Sequence, residues 1–190
     1  MHMENIEVDG SILEGGGQIL RISIAFSAVT GSPLRLYNIR AKRSQPGLRP
    51  QHLNAVKAVA SLTEAEVRGL EVGSQTVEFI PKGRRGGEFK IDIGTAGSTS
   101  LVLQALMPTL AFAADRVKVE IRGGTNNQMA PPIDYLQHVL LPVVERMGFR
   151  GSISLVRRGF YPRGQGIVQA SSEPAKNLQP INLLNLGQIA

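Results

Sequence analysis

The order of apolar and polar positions along the chain predicts a mixed α and β protein. Leu34–Ile39, Thr76–Ile80, Glu88–Ile93 and Val117–Ile121 alternate with period two, as strands with one buried face do. Ser152–Val156 and Gly166–Ala170 add shorter strands. Helical spacing occupies Gln18–Val29, Gln51–Leu62, Ser98–Ala113 and Ile133–Met147. Within Gln51–Leu62, the positions Leu53, Val56 and Ala60, beside Ala55, Val59 and Leu62, form a wide apolar stripe. Pro108 and Pro142 fall inside two of these helices and predict kinks, because proline lacks the backbone donor and crowds the preceding turn.

A shift of about 80 residues exposes an internal repeat. Glu14-Gly-Gly-Gly-Gln opens a helix leading to Leu34–Ile39, and Thr95-Ala-Gly-Ser-Thr opens a helix leading to Val117–Ile121, with Gly17 and Gly97 aligned. Each strand then enters a polar loop, RAKRSQPGLRPQ or RGGTNNQMAPPI, with proline where a second helix starts. The unit reads β-α-β-α-β-β, twice. The expected fold is therefore α+β, each repeat a sheet with two helices packed on one face. The expected organisation is residues 1–84 and 85–172 as the two repeats, with 173–190 as a linker toward an inserted domain. The run Ile181–Leu186 has no partner of its own in the sequence pattern, as if it folded onto something absent.

Composition removes several chemistries. The absence of cysteine excludes disulfides, thiolate metal sites and thiol catalysis. No apolar stretch is long enough to span a bilayer, and a soluble cytoplasmic protein is expected. The net charge of +6 is unevenly placed. No Asp or Glu occurs from position 15 to position 63, where Arg21, Arg35, Arg40, Lys42, Arg43, Arg49 and Lys57 lie. A second acid-free run, from 146 to 172, carries Arg146, Arg150, Arg157, Arg158 and Arg163. Solvated surfaces mix signs, so these runs point to an anionic ligand, with a merely basic surface as the alternative, and their arginines suit bidentate recognition of phosphate.

Candidate chemistry sits at the loops. Gly15-Gly16-Gly17 before a helix allows close backbone approach and presents free N–H groups; it is read equally as a tight strand-to-helix turn. Glu14 beside it is a candidate for a divalent cation held against a polyphosphate, or for a carboxylate near a helix N-terminus. The segment from Arg40 to His52 places Arg40 and Arg43 on a loop beside a helix start that presents Gln51 and His52. Taken alone, His52 reads as a capping or packed imidazole; amid these cations it reads as part of a phosphate site. Gln104 is the long polar side chain of an otherwise apolar helix, and by pattern such an amide satisfies a backbone group. Arg157-Arg158-Gly159-Phe160-Tyr161-Pro162-Arg163-Gly164-Gln165-Gly166 reads either as a base-stacking, phosphate-binding loop or as a twisted hairpin.

Together DGSILEGGGQILR, IRAKRSQPGLRPQHLNA, GTAGSTSLVLQALMP, RGGTNNQMAPPIDYL and RGFYPRGQG resemble blocks of the RNA 3'-terminal phosphate cyclase family, in order and spacing, from about Glu4 to Gly166. The resemblance implies conversion of an RNA 3'-phosphate to a 2',3'-cyclic phosphate with ATP and Mg2+ or Mn2+. It implies adenylation of an enzyme histidine, transfer of AMP to the RNA 3'-phosphate, and attack by the vicinal 2'-OH. It assigns Glu14 to the metal, and Arg21, Arg40, Arg43, Gln51 and His52 to the phosphates and RNA end. Gln104 and Pro131 fall to the nucleotide. The partners implied are RNA 3'-phosphate ends and ATP, with no membrane and a homodimer as one oligomeric option. The family's adenylated histidine lies in a later third repeat, beyond an inserted domain, so neither His52 nor His138 takes its place. Self-adenylation by this chain alone is not expected. The alternative is a non-catalytic cyclase-like RNA-binding protein of ribosome biogenesis. Enolpyruvyl transferases share the repeat design more remotely.

Overall fold

The computed structural model describes residues 5–184. Its elements run β1 (Ile6–Asp9), α1 (Gly17–Thr30), β2 (Leu34–Tyr37), α2 (Pro50–Thr63), β3 (Glu66–Arg68) and β4 (Val77–Ile80), followed by a second series. That series is β5 (Gly87–Asp92), α3 (Thr99–Ala111), β6 (Val117–Gly123), α4 (Ile133–Tyr135), α5 (Leu141–Arg146), β7 (Arg150–Arg157) and β8 (Gly166–Glu173). The sheets are ordered β1-β2-β4-β3 and β5-β6-β8-β7. In each, the first pair is parallel and the remaining pairs are antiparallel. The repeat read from the sequence is thus a repeat of topology.

Alternation explains why helices cover one face. In β6, Val117, Val119 and Ile121 are buried while Lys118 and Arg122 are exposed. The buried residues of the strands join Leu20 and Ile24 of α1, Val56, Val59 and Leu62 of α2, and Leu103, Leu106 and Leu110 of α3 in one hydrophobic cluster. Helices α1, α2 and α3 pack on one another, so that cluster runs from one sheet to the other. Two short strands, β1 and β3, lie outside the stretches that alternation marks. Ile6-Glu7-Val8-Asp9 alternates over its four residues only and Glu66–Arg68 has three, whereas β2 and β4, each of four residues, lie inside the longer alternating stretches Leu34–Ile39 and Thr76–Ile80.

The two interior prolines behave differently. Pro108 lies inside α3. Between α4 and α5 the chain widens into a π-helical turn, Leu136–Leu140, immediately before Pro142. The wider turn changes the carbonyl register where proline supplies no N–H. Of the run Ile181–Leu186, positions 185 and 186 lie outside the described residues, while Leu183 and Leu184 are exposed.

What matters for function is where the parallel pairs end. β1 and β2 both deliver their carboxyl ends to one edge, with Asp9 opposite Tyr37, and β5 and β6 do likewise, with Asp92 opposite Arg122. The loops into α1, α2, α3 and α4 leave from those edges, the usual seat of ligand sites in parallel α/β units.

Candidate functional site

The loop after β2 is pinned by its own apolar residues. Ile39 and Leu48 are buried. The Ile39 amide donates to the Gln75 carbonyl at 3.0 Å, the Gly47 amide to the Ile39 carbonyl at 2.8 Å and the Leu48 amide to the Ser74 carbonyl at 2.9 Å. The basic residues between these anchors are therefore held in place. Arg40 adopts a left-handed backbone with φ of 56°, a strain of roughly 1 kcal/mol for a residue with a side chain.

The helix that follows aims His52 inward. Pro50 opens α2, where its missing N–H costs nothing. His52 is buried, and its Nδ1 accepts the Arg49 amide N–H at 3.0 Å, capping the helix. That bond leaves the neutral ring's proton on Nε2. Nε2 lies against Gly17. A Cβ placed on Gly17 would come within 2.4 Å of His52 Nε2 and 3.1 Å of Arg21 Nη1. Glycine is required there because helix α1 and the imidazole approach so closely.

Cations surround the ring. Burial first, then the guanidinium groups of Arg40, Arg21 and Arg49, push the His52 pKa down to about 4. The imidazole is neutral at pH 7, a donor from Nε2 rather than an additional charge. Burial also lowers the pKa of Arg21, whose Nε is buried without a hydrogen-bond partner. Burial and its neighbours Arg43 and Arg49 lower that of Arg40. The carboxylate paired into this group is Glu14, whose Oε2 meets Arg43 Nη2 at 3.2 Å, and it is largely exposed. The cluster therefore carries several guanidinium groups against one exposed carboxylate.

Beside it lies a groove of about 630 Å³ formed by both repeats. Arg49, Pro50 and Gln51 contribute one wall; Thr95, Gly97, Ser98 and Leu101 contribute another; Asn127, Met129 and Ala130 close a third side. Gln51 crosses between the repeats: a Cβ on Gly97 would lie 3.7 Å from its Cβ. Asn127 Nδ2 donates to the Ala96 carbonyl at 2.5 Å, while its Oδ1 is buried without a partner.

The profile of the family described as RNA 3'-terminal phosphate cyclase matches residues 12–185. The chain belongs to that family. It is 54% identical over 184 residues to the RNA 3'-terminal phosphate cyclase of Ignicoccus hospitalis, covering 97% of this chain and 52% of that protein. It is 54% identical over 180 residues to the cyclase of Korarchaeum cryptofilum, covering 95% of this chain and 51% of that protein. The Pyrococcus furiosus cyclase is 55% identical over 169 residues, or 89% of this chain and 49% of that protein. The chain spans about half the length of the curated relatives it matches.

Within this cyclase-family chain, the residues singled out in the sequence fall into two groups. Glu14, Arg21, Arg40, Arg43 and His52 come together around Gly17. Gln51 faces the groove between the repeats. Gln104 and Pro131 lie apart from the arginine cluster, on the second repeat. Gln104 is exposed on α3, one helical turn beyond the groove residue Leu101, so the pattern-based reading of a buried amide bonded to the backbone is corrected. Its neighbours alternate around a helix whose other faces are buried, which is why the surrounding apolar sequence suggests burial. The Pro131 carbonyl accepts from Ser100 Oγ at 2.6 Å, tying the loop after β6 to the start of α3.

The sequence places Arg49 in the basic loop without giving it a role. Its backbone sets the His52 tautomer, an arrangement invisible to composition or spacing. Asn127 is one of several amides in a polar loop, and nothing in the pattern separates it from Asn126 or Gln128. Among the described residues no group of three or more metal-ligating side chains comes together. No helix among them is long and apolar enough to cross a membrane.

Proposed function

We propose that this chain forms the part of an RNA 3'-terminal phosphate cyclase that binds the RNA 3'-phosphate and the nucleotide. The reaction is ATP-dependent conversion of the 3'-phosphate to a 2',3'-cyclic phosphate, through an adenylated enzyme and an RNA-adenylate. The observation that carries this reading is buried His52 and half-buried Arg21 against Gly17, ringed by Arg40, Arg43 and Arg49, with one exposed carboxylate to offset them. Such a cluster is costly unless an anion completes it. A terminal phosphate, doubly charged and rich in acceptors, fits it.

The residues divide the work. The guanidinium groups of Arg21, Arg40 and Arg43 offset charge on the phosphoryl oxygens, and His52 Nε2–H donates to one of them. Because that nitrogen holds the neutral ring's proton, His52 orients the phosphate rather than attacking it. Gln51 lies where a phosphate in the cluster meets a nucleotide in the groove, and the resemblance assigns Gln104 and Pro131, both outside the groove's lining, to that nucleotide. Glu14 fits a divalent cation only in part: one exposed carboxylate leaves the remaining positions to phosphate oxygens and water, as is usual for Mg2+ beside a polyphosphate. The cation supplies charge neutralisation there.

The test compares RNA oligonucleotides ending in 3'-phosphate and 3'-hydroxyl by fluorescence anisotropy. The phosphorylated end is expected to bind about tenfold or more tightly, with Arg40→Gln and Arg43→Gln each removing most of that preference. Equal binding of the two ends would overturn the reading. ATP binding weakened by Gln104→Ala separates the cyclase from a non-catalytic RNA-binding relative, for which ATP has no effect.

A further inference from the structure

We infer that the outer face of the second sheet holds a second phosphate site, which binds the backbone of single-stranded RNA upstream of its 3' end. The inference rests on the reading above and extends it from the terminal phosphate to the strand behind it. A hollow of about 400 Å³ on that face is lined by Asp92, Thr95, Arg122, Arg157, Arg163 and Gln165, among others.

The arginines arrive there by register. Across the sheet, Asp92 pairs with Arg122, Arg122 with Ile167, and Ile167 with Arg157. They form one row at the carboxyl end of the parallel pair, on the face away from the helices. Arg157 belongs to the row because of a bulge. From Arg150 opposite Glu173 to Leu155 opposite Val168 the pairing is unbroken, and continuing it would set Val156 opposite Ile167. The register shifts after Leu155 and sets Arg157 there instead. A bulge that re-aims one side chain is a device found next to functional sites. Arg157 Nε then donates to the Gln165 carbonyl at 2.9 Å, which fixes its stem and leaves the terminal nitrogens for a ligand.

The next row shows the contrast. Lys90, Glu120, Gln169 and Ser154 lie side by side with mixed charge. The arginine row holds two guanidinium groups to one carboxylate, Asp92, whose Oδ1 accepts the Gly94 amide at 2.8 Å. Arg122 is engaged by Glu120 at 3.1 Å, and among the described residues neither Arg157 nor Arg163, which stands on the adjoining turn, forms an ion pair with a carboxylate. Two guanidinium groups therefore remain available.

The same hairpin reaches both hollows. Tyr161 lines the groove beside Gln51, whereas Arg163 lines the outer hollow. Thr95 lines both. Gly164 between them packs against Thr95 and Ala96 so closely that a Cβ would lie 2.7 Å from the Thr95 carbonyl oxygen. Tyr161 and Phe160 are exposed, at 87% and 56%. A basic channel with aromatic rings beside it suits single-stranded nucleic acid, phosphates on the guanidinium groups and bases on the rings. A strand whose 3'-phosphate reaches His52 passes the hairpin and continues into the arginine row.

The test uses the 190-residue chain and a labelled RNA dinucleotide and decanucleotide, each ending in 3'-phosphate. The decanucleotide is expected to bind about tenfold more tightly at low salt. In Arg157→Gln/Arg163→Gln that advantage falls to within about twofold, and the salt dependence of log K shrinks by roughly 0.7 for each phosphate no longer neutralised. Arg163→Gln alone, which breaks none of the hairpin's hydrogen bonds, removes part of it. Unchanged length preference in both variants, with the 3'-phosphate still preferred over 3'-hydroxyl, overturns the outer site alone. Loss of that end preference in the unsubstituted chain overturns the function reading, and the outer site with it.

Discussion

The two repeats share one path and carry different chemistry. Both run strand, helix, strand, helix, strand, strand, with matching sheet orders, and both place a glycine at the start of the first helix. In the first, Gly17 lets His52 and Arg21 approach the helix start. In the second, Gly97 is crowded by the Ile93 side chain and faces Gln51 from the other repeat. The loop after β2 holds Arg40, Arg43 and Arg49; its counterpart after β6 holds Asn126, Asn127 and Gln128. Duplication thus reproduces the scaffold, while the arginines proposed for the terminal phosphate stand on the loop of one copy. The scaffold offers a cleft wherever a parallel pair ends, and the side chains on the loops decide what enters it.

That contrast breaks most sharply at the glycines. Gly17→Val would drive a side chain into His52 and Arg21, and a loss of affinity for RNA 3'-phosphate on the order of 100-fold is expected in anisotropy titrations. Gly97→Ala presses on the branched Cγ2 methyl of buried Ile93 and touches neither His52 nor Arg21, so it should cost stability but lose at least about tenfold less affinity. Comparable losses in the two variants would mean that the copies share the binding.

Acid sharpens the difference next. Because His52 titrates near 4 in the folded chain against about 6.5 unfolded, the unfolded state binds the proton more readily between those values. Stability is therefore expected to be full above pH 6.5 and to decline as pH falls toward 4, by up to about 3 kcal/mol. Thermal melts across that range check it. His52→Asn should flatten the decline, and phosphate should oppose it by favouring the protonated ring. A decline that persists in the variant would place the titrating group elsewhere.

The smallest effect belongs to an ion pair beside the second repeat's loop. Arg158 Nη1 donates to Asp134 Oδ2 at 2.9 Å and to Asn126 Oδ1 at 3.0 Å, and the Arg158 hydrogen bond holds the Asp134 carboxyl down at about 2. Both side chains are exposed to water. Arg158→Met is expected to lower the melting temperature by no more than about 3 °C and to leave the 3'-phosphate preference in place. Any lost stability should be absent below pH 2, where the carboxyl is protonated in either form. A large loss of 3'-phosphate binding would show that the second loop carries charge recognition after all.

Much of this is legible in the order of residues. The helices at α1 and α2 lie within one residue of their periodic stretches, because amphipathic spacing and the Pro50 start are local signals. The strands β1 and β3 are missed because their patterns run over four and three residues only, and pairing with β2 and β4 makes them strands. His52 shows both sides of the question. Read alone it is a capping imidazole, read with its neighbours a phosphate ligand; it caps α2 through Nδ1 and faces the arginines through Nε2. Gln104 misleads because a hydrophobic neighbourhood in sequence says nothing about which helix face remains uncovered.

Sequence alone determined the α+β class, the doubled unit, the excess of arginine over acid and the family to which the chain belongs. These depend on period, composition and motif order, which are properties of the chain itself. Tertiary structure decided that Gly17, at the start of α1, meets His52, in the first turn of α2, and that Arg49 sets its tautomer through a backbone N–H. It also decided that a one-residue shift in register carries Arg157 to the row of Arg122. Such facts depend on distances between segments far apart in the chain, and packing of the two repeats on one core sets those distances.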